Sequence, residues 1–108
     1  MSVYAIVDIK VTDDSWLPSY AQNVHTIVEK HGGKYLSRSK NIITAEGEGL
    51  DTTIVALIQF PSMEAIQAFA TDPEYAPYLK ARQAGSVTRL HIIDDVDAAG
   101  TIPYLAKG

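Results

Sequence analysis

The chain has 108 residues, no cysteine and a formal net charge of -4. It is one domain by length, able to bury roughly two thirds of its unfolded surface, and it must be held by packing or a partner subunit rather than by disulfides or thiolate-bound metal. The Lys and Arg residues are scattered rather than gathered in a stripe, which sets nucleic acid aside. No basic leader precedes an apolar run at the N-terminus, and no apolar run reaches the ~20 residues of a membrane helix. The expectation is therefore a soluble, unexported, cytoplasmic protein with no membrane partner.

Val3 to Lys10 alternates Val3, Ala5, Val7 and Ile9 on one face with Tyr4, Ile6, Asp8 and Lys10 on the other, which predicts a first strand. Thr12-Asp13-Asp14-Ser15 is a break rich in capping residues, after which Trp16, Tyr20, Val24, Ile27, Val28 and His31 recur at helical spacing, with Pro18 tolerated in the first turn. Gly32-Gly33 supplies a helix stop, and Lys34 to Ser39 starts a second strand that Ile42 to Ala45 is expected to continue or bend. Glu46-Gly47-Glu48-Gly49 then reads as a polar hairpin turn.

Thr53 to Phe60 is apolar on both faces, so both must be shielded from water. Pro61 ends that strand, and Ser62 is placed to cap a helix carrying Met63, Ile66, Phe69 and Ala70 on one face. Asp72-Pro73-Glu74 signals a further helical start, Tyr75 to Ala84 continues it with a kink or restart at Pro77, and Gly85 closes it. Val87 to Asp94 is the last strand, with Leu90 and Ile92 opposite Arg89, His91 and Ile93. Residues 1–97 form the expected domain; 98–108 form a turn-rich tail whose Ile102, Pro103, Tyr104 and Leu105 offer apolar side chains for docking.

The order βαββαβ predicts an α+β, ferredoxin-like sandwich, an antiparallel sheet with both helices on one face. Its other face would be left apolar and bare, so a second copy is expected to cover it about a two-fold axis, making a dimeric α/β barrel.

The order and spacing of Val7-Asp8-Ile9, Tyr20, His31-Gly32-Gly33-Lys34-Tyr35-Leu36 with Arg38, Glu46-Gly47, Phe60-Pro61-Ser62, and Asp72-Pro73-Glu74-Tyr75 with Arg82 resemble an uncharacterised family of the dimeric α/β-barrel superfamily, the domain-of-unknown-function family numbered 1330. The sequence departs from that pattern in Lys34, in a longer Glu-Gly turn, in Phe69 where Trp is frequent, and beyond Val96. The resemblance implies the fold, the dimer and a small-molecule pocket between sheet and helices.

The constellations for metal or dinucleotide chemistry are weak. His25 and His31 are six residues apart and fall on different sides of a helix, so no metal site is expected. Gly47-Glu48-Gly49 lies between two strands and lacks the third glycine of a dinucleotide loop, and no cofactor is expected. With neither Cys nor a Gly-x-Ser-x-Gly motif, covalent catalysis has little support.

What stands out is a set of polar side chains on otherwise apolar elements. Asp8 and His91 are the candidate acid–base residues, and Tyr20, Arg38, Tyr75 and Arg82 the candidate substrate-binding residues. Two readings stay open. In one, a homodimer binds a small polar or aromatic anion, with cofactor-free acid–base chemistry as the reaction class these residue types allow. In the other, a non-catalytic ligand-binding or structural dimer uses the same residues for packing, with Asp8 paired to Arg89 or Arg38.

Overall fold

The computed structural model describes residues 1–106. Strands β1 (Val3–Val11), β2 (Lys34–Ser39), β3 (Ile54–Phe60) and β4 (Ser86–Asp94) form one sheet in the order β2-β3-β1-β4. All three pairings are antiparallel. Helices α1 (Leu17–Lys30), α2 (Met63–Ala70) and α3 (Ala76–Gly85) complete the ferredoxin-like order.

The alternation of β1 decides which face is covered. Val3, Ala5 and Val7 are buried with Ala56, Ile58 and Phe60 of β3 in register beside them, and Val24, Ile27, Val28, Ile66 and Tyr75 pack onto this face from above. The opposite face carries Tyr4, Ile6 and Asp8, with Leu57 and His91 flanking Ile6 and Val55 and Arg89 flanking Asp8. Ile6 and Ile93 remain exposed there.

Helix boundaries follow local chemistry. Gly32 adopts φ +77, which an L side chain rarely takes, and Gly33 sits where a Cβ would strike Val28 and Phe60, so both glycines are required for the chain to turn from α1 into β2. Ser62 accepts from the amide of Ala65 at 3.1 Å, as expected of a cap. At α1 the caps behave differently: position Trp16 precedes the helix without a side-chain cap, and Asp13 instead accepts from Ser15 N within the loop. Pro77 lies in the first turn of α3, so the break before it is a restart and not a kink.

One expected element is absent. β2 ends at Ser39, whose hydroxyl accepts from Asn41 N at 3.0 Å and turns the chain out of the sheet, so Ile42 to Ala45 does not extend the strand and Ile43 is exposed. The hairpin between β2 and β3 is real, but its connection is a wide loop over residues 40–53. That loop folds back on β1: Thr53 N donates to the Ile9 carbonyl at 2.8 Å, and Lys10 Nζ meets Asp51 at 2.6 Å.

Beyond β4 the chain makes a short 3-10 turn, Ala98–Gly100, capped by Asp97. In the tail expected over 98–108, Tyr104 and Leu105 are both exposed, while residues 107–108 lie outside the described part. No helix among the described residues is long and apolar enough to cross a membrane.

Candidate functional site

Between the sheet and the helices lies a cavity of about 450 Å3. It exists because small residues face each other where large ones would close it: Ala5 and Ala56 on the sheet, Ala21 and Ala70 on the helices. Most of the wall is apolar, with polar side chains supplied by Tyr20, Tyr35, Arg38, Gln67, Tyr75 and Arg82 and the Trp16 indole beside them.

Each polar residue is held by its element. Tyr20 stands one turn into α1, edge-on to Trp16 at 5.1 Å, and the Trp16 indole is pinned in turn by donating to the Gly85 carbonyl at 3.1 Å. Tyr75, immediately before α3, stacks on Phe69 at 4.2 Å and is 4% exposed. Arg82 comes seven residues later on the same side of α3, and its Nη2 donates to the Tyr75 hydroxyl at 3.2 Å. The Tyr20 and Tyr75 hydroxyls are 3.3 Å apart, so the three side chains form one hydrogen-bonded group.

Electrostatics within this group are one-sided. Arg82 is only 6% exposed, yet the ion pairs among the described residues involve Lys10, Lys30, His31 and Arg89, never Arg82. Burial works to lower its pKa, but the contacts with Tyr75 and Tyr20 outweigh that and leave the guanidinium above its ordinary value. Burial, followed by the neighbouring Tyr75, pushes the Tyr20 hydroxyl far above the ordinary tyrosine range, and burial raises Tyr35 as well. The Tyr20 hydroxyl therefore keeps its proton, and either it or the Tyr75 hydroxyl can donate in the bond between them.

Arg38 reaches the cavity by an irregularity in β2. Tyr35 pairs with Ile58 and Arg38 with Ala56, both partners facing the helices, although residues three apart on a regular strand point to opposite faces. The register shifts between Tyr35 and Ser37, and this bulge turns Arg38 onto the face of Tyr35. The guanidinium then lies 4.5 Å from the Tyr35 ring centroid. Arg38 is exposed overall, so it stands at the mouth, whereas Arg82 is inside.

Of the six residues singled out from the sequence, Tyr20, Arg38, Tyr75 and Arg82 line this cavity. Asp8 and His91 do not. Asp8 accepts from Arg89 Nε at 2.9 Å on the opposite face of the sheet, and His91 is exposed on that face beside Ile6. Asp8 thus has its own cation, and Arg38 has no claim on it. Tyr35 lines the cavity too, which strict alternation does not predict, because it sends Tyr35 away from Arg38 and no glycine marks the bulge.

A second polar cluster joins α1 to the turn before α3. Asp72, itself buried, has His31 Nε2 at 2.7 Å and Lys30 Nζ at 2.9 Å on one oxygen, while its other oxygen accepts from Glu74 N. These hydrogen bonds, His31 first and Lys30 next, hold the Asp72 carboxyl well below the usual carboxylate range.

The domain of unknown function DUF1330 matches residues 2–96. The chain belongs to this family. No curated protein matches the sequence. Among solved structures, this DUF1330 chain is similar to a protein of unknown function from Rhodopseudomonas palustris, with a TM-score of 0.76 at 18% identity over 89% of this chain and 83% of that one. It is also similar to a dabb family protein with a ferredoxin-like fold from Mesorhizobium loti, with a TM-score of 0.66 at 10% identity, covering 89% and 98% of the two chains. A third is SnoaB, a cofactor-independent oxygenase from Streptomyces nogalater, with a TM-score of 0.64 at 12% identity over 89% and 94%. At these identities the likeness establishes the ferredoxin-like fold.

Proposed function

We propose that this DUF1330 protein binds a small aromatic or polar anion in the cavity between sheet and helices. The observation that carries the reading is Arg82, a guanidinium 6% exposed beside a cavity and without a carboxylate among the described residues. A buried charge left this way is costly unless something completes it. A ligand anion would, with Arg38 at the mouth as a second cation and Phe69, Ile66 and Val7 as walls for an apolar body. The arrangement of few convergent polar groups in a mostly apolar cavity supports recognition of one charged end of such a molecule.

The reading includes a homodimer through the open sheet face. Val55, Ile6, Leu57 and Ile93 form its apolar centre, and a second sheet laid on it about a two-fold axis would cover them. Asp8 and His91 would then face the partner sheet, so proton transfer by His91 would belong to the space between the sheets and not to the helix-side cavity.

Chemistry without a cofactor is supported by the fold shared with SnoaB, a cofactor-independent oxygenase. A non-catalytic binding dimer is the second reading. It is favoured by the lining itself, which contains no Asp, Glu or His among the described residues and so no evident base.

Thermal melting against a panel of small aromatic carboxylates tests the binding reading. Wild type should be stabilised in a concentration-dependent way, and Arg38→Met should lose most of that shift while melting like wild type alone. A panel in which no anion shifts the wild type would overturn it.

A further inference from the structure

We propose that the Tyr20–Tyr75 pair, held by Arg82, is an oxyanion site that takes the ionised hydroxyl of a phenol or enol. This deepens the anion-binding reading above and rests on it.

Arg82 can only donate, so in its bond to Tyr75 the phenol oxygen is the acceptor. The bond between the two tyrosine hydroxyls uses one of their two hydrogens, whichever way it runs. One O–H therefore remains, in a wall of the cavity, and neither hydroxyl has a further protein acceptor among the described residues. That donor is polarised through the guanidinium, so the pair can direct a hydrogen bond at an oxygen that approaches from the cavity.

The shape of the donor set selects the class of acceptor. One arm of the Arg82 fork is already committed to Tyr75, which weakens the two-point grip that a carboxylate prefers. A tyrosine O–H beside a guanidinium converges instead on a single oxygen bearing localised charge. Behind that point the walls are Phe69, Ala5, Val7 and Ile66, which suit the flat apolar body of an aromatic phenolate or a conjugated enolate. Bound there, a hydroxyl group loses its proton to solvent and is held as the anion; no bond to carbon need form or break.

Para-nitrophenol is a direct probe, because its neutral and ionised forms absorb differently. In buffer more acidic than the probe's own pKa, wild-type protein should shift the bound probe to the phenolate spectrum. Tyr20→Phe and Tyr75→Phe should each weaken probe binding by roughly tenfold or more, the usual loss when a hydrogen bond to a charged group is removed, while benzoate continues to raise the melting temperature. Should Tyr75→Phe prove unfolded, the spectrum of the probe on wild type and on Tyr20→Phe carries the test. If the bound probe stays neutral, or both tyrosine variants bind it as wild type does while benzoate still stabilises the protein, the oxyanion site is refuted and anion binding stands. If neither probe nor benzoate binds wild type, both readings fall.

Discussion

Arg82 donates to the Tyr75 hydroxyl across 3.2 Å, and Tyr75 lies seven residues earlier at the start of the same helical segment. The pair brings a positive charge into a cavity whose walls are mainly hydrocarbon, with no carboxylate among the described residues paired to it. This differs from Asp8 and Arg89, which neutralise each other on the far side of the sheet.

The contrast predicts how arginine variants behave. Arg82→Met replaces a buried cation that has no carboxylate partner among the described residues with an apolar side chain of similar length, so without ligand the variant should melt no lower than wild type. Arg38→Met removes a cation–π contact with Tyr35 and should cost less than about 1 kcal/mol. Both should lose stabilisation by aromatic carboxylates. Melting curves of the three proteins with and without benzoate check this; a large loss of stability in Arg82→Met alone would show that the guanidinium holds the fold.

Leu57 and Ile58 are adjacent in β3 but face opposite ways, Ile58 into the helix-side core and Leu57 onto the open face beside Ile6. Ile58→Lys buries an unpaired ammonium and should unfold the domain or cost several kcal/mol, roughly the penalty of an uncompensated buried charge. Leu57→Lys should leave the protomer folded and drive a dimer toward monomer. Light scattering and circular dichroism on both variants separate the two effects, and a wild type that scatters as a monomer at all concentrations contradicts the sheet-to-sheet dimer.

The alternation of β1, the Pro61-Ser62 junction and the Gly32-Gly33 stop are legible in the sequence, because each is a local rule that tertiary packing does not override, whereas Asp72 accepts from Glu74 N in a turn and α3 starts only at Ala76, after Tyr75, without a side-chain cap. The bulge in β2 is not legible either. Nothing between Tyr35 and Arg38 signals an extra residue, and the shift is set by how β2 meets β3. Asp8 and His91 were grouped with the tyrosines for a related reason: alternation tells which residues share a face, but a chain with apolar residues on both faces does not say which side holds the cavity. The end of β2 at Ser39 escaped because a serine that turns back on Asn41 looks, in sequence, like any polar strand residue.

Asp72 predicts a pH dependence. Its carboxyl is held below the ordinary value of 3.8, so the folded form favours the ionised state. The resulting stabilisation is present above that ordinary value and is lost as pH falls through and below it. Urea melts across the acid range should show wild type losing stability on acidification, and Asp72→Asn should be less stable at neutral pH with a flatter acid limb. Parallel acid limbs for the two proteins would show that Asp72 does not join α1 to α3 as described.

The Gly85 carbonyl accepts from Thr12 N, Asp13 N and the Trp16 indole, at 2.9, 3.0 and 3.1 Å. A Cβ at this glycine would strike the Trp16 ring, which supports Tyr20. Gly85→Ala should therefore destabilise by about 1–3 kcal/mol, the usual cost of overpacking, and weaken ligand binding through Tyr20. Chemical denaturation gives the first effect; wild-type stability in the variant would mean that the Trp16 ring moves freely.

Arg82 and Arg38 are proposed to receive the ligand anion, and the chain's remaining arginine, Arg89, is a control already paired to Asp8 on the opposite face. Side-chain Nε–Hε resonances of the arginines, followed by NMR during titration with an aromatic carboxylate, read all three at once. Saturable shifts at Arg82 and Arg38 with Arg89 unmoved are the predicted result. Shifts at Arg89 alone, or none at Arg82 while another site saturates, would contradict it.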